Sequence, residues 1–244
     1  MSGGTLLFSG TDVASLCIIE DLSDFWSSSD VRGDLPEYAG TPGSTAQRRP
    51  VASKVRTGTV SVVGDTLAAT EEGVAALKAV LKINRSQTAT RRKVTGSGNL
   101  DTTQTVITRG AEERWQGNGL CTLILSVETI DGPWYGSSVA IAAAGTATVQ
   151  GDSPTHRITA TLSAGAASPV VTNATNGYTF RYVGTVPSGG VVVDVVNRTA
   201  MNGSTNVSSA LKWSKDDPFQ LDPGSQTLTV SAGTVSFTYY PAYA

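Results

Sequence analysis

The sequence predicts a mainly β protein of two domains with a single flanking helix, and three observations carry that expectation. Apolar and polar residues alternate with period two along many short segments. Gly, Pro and Asn turn signals separate those segments, as antiparallel strands require. Only one stretch, about Glu71–Lys82, has apolar residues at helical spacing.

A chain of 244 residues is long enough for one large or two ordinary domains, and the charges favour two. Residues 1–134 hold 28 of the 38 charged side chains, whereas 10 of the 16 aromatic residues fall in the shorter remainder. The turn signal Asp131-Gly132-Pro133-Trp134-Tyr135-Gly136 lies where the composition changes, so the domains are expected at 1–135 and 136–244.

In the first part, Thr59–Val63 alternates Thr and Ser with Val, and Cys121, Leu123, Leu125 and Val127 share one face of another strand. The helix between them has Thr70 as its expected N-cap, Glu71 and Glu72 at the positive end of its dipole, and Val74, Leu77 and Leu81 as a packing stripe. Two polar segments read as long loops, Ser27–Arg49 and Arg85–Asp101. The second begins basic with Arg91-Arg92-Lys93; it suits a solvated or salt-bridged subunit contact better than a phosphate site.

The second part reads as an antiparallel sandwich. Ile158/Ala160/Leu162, Tyr178/Phe180/Tyr182, Val191/Val193/Val195, Leu228/Val230 and Val235/Phe237/Tyr239 all alternate. The ladder Tyr178/Phe180/Tyr182 is expected in the core, because each ring buries a large apolar area. Trp213 lies in a polar segment and is the candidate for an exposed ring that could stack on a sugar.

Scarcity excludes several chemistries. A lone His156, read as an exposed imidazole at a strand edge, leaves no multi-histidine zinc site and no ready Ser-His-Asp triad. Cys17 and Cys121 read as small buried hydrophobes, with a long-range disulfide left open. Net charge of −2 gives no nucleic-acid footprint over the whole chain. No apolar run reaches the roughly 18–20 residues of a membrane helix, and the N-terminus lacks the pattern of a signal peptide, so synthesis in a cytosol without export is expected. No phosphate-cradling glycine loop is present, and Ser209 to Lys212 matches S-x-x-K without its companion motifs. The doublets Glu112-Glu113 and Asp216-Asp217 point to opposite faces of a strand, although a carboxylate pair from distant positions stays open. Arg32-Gly33-Asp34 is read as a chance tripeptide. No metal, cofactor or catalytic residue is assigned.

Several stretches stand in a particular order: Ile19-Glu20-Asp21-Leu22, Val31-Arg32-Gly33-Asp34-Leu35-Pro36, Arg56-Thr57-Gly58-Thr59-Val60, the helix Val74–Leu81, Arg114-Trp115 with the Cys121–Val127 strand and Asp131-Gly132-Pro133-Trp134-Tyr135-Gly136, and Leu221-Asp222-Pro223-Gly224 with the C-terminal Val235–Tyr243. Together they resemble the distal tail protein family of long-tailed (siphovirus-type) bacteriophages, especially those of actinobacterial hosts. The resemblance implies an N-terminal tail-tube-like β-sandwich whose six copies close a ring, and a C-terminal galectin-like β-sandwich outside it. It implies a structural virion protein at the tail tip, not an enzyme. Its partners would be the tail-tube protein above and the tip hub or baseplate protein below, with tape measure protein and receptor-binding fibres nearby. Genomic DNA would pass through the lumen without specific binding, and no membrane is involved. In such a ring the expected subunit contacts are Asp34, Arg48, Arg49, Arg91, Arg92 and Lys93, because charges on long loops gain most when a neighbour orders them. A carbohydrate- or receptor-binding module using Trp213, and another minor tail or tube component, are the alternative readings.

Overall fold

Period-two alternation becomes antiparallel ladder over most of the chain in the computed structural model, which describes residues 4–26, 54–95, 98–117, 119–129, 133–214 and 219–243. The chain divides into two units, the first ending at Trp134 and the second spanning Tyr135–Tyr243.

The first unit contains β1 (Gly4–Phe8), β2 (Thr11–Asp12), β3 (Ile18–Asp21), β4 (Lys54–Val63), helix α1 (Leu67–Leu81), β5 (Ser86–Thr95), β6 (Gly98–Gln116) and β7 (Leu120–Thr129). The strands run in the order β2-β1-β5-β6-β7-β4-β3, each pair antiparallel. Register places Gly58, Val60 and Val62 of β4 opposite Leu125, Leu123 and Cys121 of β7. Side chains facing each other across such a pair share one side of the sheet, so these six positions form one inner face. Helix α1 covers part of it: a Cβ on Gly73 would lie 2.6 Å from Val62 Cγ1. Gly58 serves the same close approach, since a Cβ there would meet Leu22 Cδ2 at 2.5 Å. Leu22 and Phe25, in and before the 3-10 turn Ser23–Trp26, thereby seal the face next to the helix.

The helix starts earlier than its sequence pattern predicts. Thr66, not Thr70, is the N-cap and its hydroxyl accepts from Ala69 N at 3.2 Å. Thr70 is buried one turn further on, with Val74, Leu77 and Leu81 forming the expected stripe. Ala68 and Ala69 offer no periodicity to read, which is why the first turn escaped the pattern. At the other end Lys82 adopts the left-handed conformation with φ 43°. The buried amide of Gln87 donates to Leu81 O at 2.5 Å, satisfying a carbonyl that the helix end leaves without a partner. Thr66→Ala is expected to cost about 1 kcal/mol, measured as a lower urea midpoint with an unchanged slope.

The largest correction concerns residues 85–101. They are not a contact loop but part of a hairpin, with β5 and β6 paired from Ser86↔Ile107 to Thr95↔Gly98. The alternation is there, but its inner side carries Gln87, Ala89, Arg91, Thr102 and Gln104, all buried. A buried face built of polar groups has no hydrophobic signature. Ser27–Arg49 lies outside the described residues.

The second unit begins within the two-residue β8 (Trp134–Tyr135). Its strands are β9 (Val139–Ile141), β10 (Gly145–Val149), β11 (Ile158–Leu162), β12 (Val170–Asn173), β13 (Tyr178–Tyr182), β14 (Val191–Asp194), β15 (Thr199–Asn202), β16 (Thr205–Asn206), β17 (Leu211–Trp213), β18 (Gly224–Val230), β19 (Val235–Tyr239) and the short β20 (Ala242–Tyr243). A five-stranded sheet, β10-β18-β12-β13-β17, and a six-stranded one, β16-β15-β14-β11-β19-β9, share one hydrophobic core. This is a β-sandwich, in which each strand sends alternate residues inward. Ile158, Ala160 and Leu162 come from one sheet, and Phe180, Tyr182 and Leu228 from the other. The aromatic ladder is core: Phe180 and Tyr182 are buried and Tyr178 packs at the margin. Phe180 meets Phe219 edge-on at 5.5 Å. Two inward polar positions pair with each other, Asn173 Nδ2 donating to Gln226 Oε1 at 2.8 Å. Asn173 is fully buried, so its Asn-x-Thr sequon has no surface meaning.

Candidate functional site

The expected contact residues separate once the strands are in place. Asp34, Arg48 and Arg49 lie outside the described residues. Arg91, Arg92 and Lys93 are consecutive on β5, and a strand cannot present three neighbours as one patch. Arg91 points to the inner face and is only 9% exposed. Its guanidinium lies 4.9 Å over the Trp134 ring, and its Nε donates to Thr102 Oγ1 at 2.9 Å. This corrects the expectation for Arg91, which is an interior tie and not a loop charge. Arg92 points outward and forms a bidentate pair with Asp101, at 2.8 and 2.7 Å. Lys93 is exposed near the hairpin end.

A second set of charges gathers where the sequence offered only non-catalytic doublets. The β6–β7 register shifts between Thr108 and Gly110, leaving Arg109 as the extra residue of a bulge. Arg109 Nε reaches Glu128 Oε2 at 2.5 Å, and Arg114 Nε reaches Glu112 Oε1 at 3.1 Å. On the helix side, Lys78 Nζ bonds Glu113, whose other oxygen accepts from Trp115 Nε1 at 2.9 Å. Pairing puts Val55 beside Glu128, Val63 beside Leu120 and Ile18 beside Ser61, all on the outer side of the sheet. These three apolar side chains are more than half exposed. Between them Ser61 bridges Glu20 and Thr122 by side-chain hydrogen bonds. Exposed apolar groups among paired charges are the mixture found on protein-contact surfaces. The sequence offers only the spacing of Glu112 and Arg114 on one strand face; Arg109 has the opposite parity and joins them through the bulge.

The shifted groups follow their partners and their burial. The hydrogen bond from Arg92 holds the Asp101 carboxyl below its ordinary range, and the bond from Lys78, then that from Trp115, does so for Glu113. Burial, reinforced by Asp12, pushes the Cys17 thiol up to about 11, away from thiolate reactivity. Cys17 and Cys121 are both free thiols. No group of three or more His, Cys, Asp or Glu side chains is placed to hold a metal ion among the described residues. A depressed carboxyl contributes stability that is present above its unfolded value and lost as pH falls through the folded one. Stability is therefore expected to decline as pH drops below the usual carboxylate range. Asp101→Asn should flatten that decline, which urea midpoints between about pH 3 and 6 would measure.

Trp213 does not stand free. Its ring packs at 5.3 Å from Phe180, Arg198 covers it at 5.7 Å, and it is half-buried against the sandwich core. The expected exposed sugar platform is absent at this residue, because the strand pairing Phe180↔Trp213 draws the ring onto Phe180. His156 is half-buried beside the start of β11.

No family model matches the chain, and no curated protein sequence matches it. Among solved structures it is similar to the SPP1 Dit protein, presented as a paradigm of the hub adsorption apparatus in phages infecting Gram-positive bacteria. That likeness has a TM-score of 0.68 at 18% identity and covers 98% of this chain and 99% of that one. A chain of the phage P2 baseplate in its activated conformation with Ca is a weaker match, with a TM-score of 0.47 at 9% identity over 98% of each chain. From end to end, the chain has the fold of the SPP1 Dit protein.

Proposed function

We propose that the protein is a structural component of a phage tail tip, forming a hexameric ring that joins the tail tube to the tip hub or baseplate and leaves a channel for DNA. The single observation that carries this reading is the fold likeness to SPP1 Dit over essentially the whole of both chains. It is supported by a first unit whose outer sheet face mixes paired charges with exposed Val55, Val63 and Ile18. A cyclic ring uses two different, complementary surfaces of each subunit, and a face of this composition suits one of them. The partners are a second copy of the chain on either side, the tube protein above and the hub protein below, with the virion tail tip as its place of work. It performs no turnover; the ion pairs and thiols are structural.

Native mass spectrometry of the purified chain tests this. Six chains of 25.2 kDa predict a particle of about 150 kDa. A monomer at every concentration contradicts the proposal, and an open series of masses would favour a tube subunit instead.

A further inference from the structure

Each sheet of the second unit ends in two edge strands, and one of the four is left open. Three of them, β9, β16 and β17, are two or three residues long. Shortness is itself a protection, because such an edge presents few unpaired backbone groups. β10 differs. All five of its residues pair with β18 in unbroken register, from Gly145↔Leu228 to Val149↔Gly224, and no strand lies on its other side among the described residues. It contains no proline, and no charged residue occurs between Asp131 and Asp152. Charge, proline and bulge are the devices that keep an edge from pairing with another chain, and β10 has none of them.

The open strand is also close to its own complement. Read antiparallel about Ala147, the sequence Gly145-Thr146-Ala147-Thr148-Val149 sets Thr146 opposite Thr148, Thr148 opposite Thr146, and Ala147 opposite itself. Thr146 and Thr148 are exposed and stand beside Thr227 and Ser225 of β18, which are exposed too, so both threonines project from the outer face. Ala147 pairs with the buried Gln226, and Val149 is buried in the core, so these two take the inner side. Threonine pairs are favourable across antiparallel strands. A two-fold contact needs a surface that meets itself, residue i touching j and j touching i, and this strand has that order.

We infer that two copies of the chain associate through β10, each five-stranded sheet extending the other into one of ten strands. In any strand addition the backbone supplies the hydrogen bonds, and the side chains set register and partner. Among the edge strands of this unit only β10 has both the length and the mirrored threonines, so the strand that fits it is a second β10. The pairing closes on itself. The far edge of the same sheet, β17, is three residues long and carries Lys212, which stops further addition. The inference goes beyond the tail-tip reading and does not depend on ring formation, because this contact is two-fold whereas ring neighbours meet through two different surfaces.

Sedimentation equilibrium of the full chain tests it. With rising concentration the mass is expected to double, from one chain of 25.2 kDa to two where no ring forms, and from six chains to twelve where one does. Thr146→Lys/Thr148→Lys sets lysine directly opposite lysine twice across the contact and should weaken pairing by about tenfold or more. Thr146→Glu/Thr148→Lys changes the same two positions but sets Glu opposite Lys. Pairing should return in this variant, and weaken again as salt rises. Within one chain the neighbours of both positions, Thr227 and Ser225, are uncharged, so each variant should melt close to wild type. Wild type that stays at six chains at every concentration overturns the inference and leaves the ring reading intact; one that stays a monomer contradicts both. The inference is also overturned by a double lysine variant that pairs as well as wild type, by a Glu/Lys variant that does not regain pairing, or by filaments of ever-increasing mass.

Discussion

Phe180→Ala is expected to be among the most damaging single changes in the protein, costing about 3–5 kcal/mol. The ring is 1% exposed and lies between Trp213 at 5.3 Å and Phe219 at 5.5 Å. Phe219 in turn stacks on Phe237 at 6.3 Å, so the chain of rings crosses from the five-stranded sheet to the six-stranded one. Truncation removes transfer free energy and leaves a cavity whose walls are held by two sheets, which limits collapse. The melting temperature of the second unit should fall by about 10 °C or more. Thr179→Ala, one residue away on the outward face, should stay within about 0.5 kcal/mol of wild type. A loss below about 1 kcal/mol for Phe180→Ala would mean that this cluster is not the core of the sandwich.

Arg91→Ala is expected to cost about 2–4 kcal/mol, against about 0–1 for Arg92→Ala. The two neighbours differ only in the side of the strand they occupy. Arg91 is buried, holds Trp134 by a cation–π contact and bonds Thr102; its Nη1 also reaches Phe25 O at 3.5 Å. Removing it exposes the flank of a fully buried indole and leaves buried acceptors short of a donor. Arg92 and Asp101 are about two-fifths exposed, so solvent screens their pair despite its bidentate geometry. Chemical denaturation of the two variants separates them. The reverse order of losses would restore Arg91 to the surface.

Most of the second unit was legible in the sequence because its buried apolar positions recur with period two: Ile158/Ala160/Leu162 and Val191/Val193/Val195 are buried, even though Val192 and Val196 between and beyond them are exposed. In the first unit the strand carrying Cys121 to Val127 was read for the same reason. The hairpin of β5 and β6 was not, because Gln87, Arg91, Thr102 and Gln104 occupy its buried side and hydrophobic periodicity does not register polar groups that satisfy one another. The site suffered the same loss. Arg91-Arg92-Lys93 looked like a basic cluster in one dimension, and pleating sent its members to different sides. Trp213 looked exposed because Lys212 and Ser214 flank it, yet its cross-strand partner Phe180 decides its burial. The outer face with Arg109, Glu112, Glu128 and Val55 joins residues from three strands, and only the register reveals it.

Images of the purified protein, averaged in top view by electron microscopy, test the proposed ring most directly. The account predicts closed rings with six-fold symmetry and an open centre. Arg91→Ala should reduce their number in step with its loss of folding, and Arg92→Ala should change it without changing stability if that face meets a neighbour. Isolated two-lobed particles at high protein concentration, with no closed ring, would contradict the account.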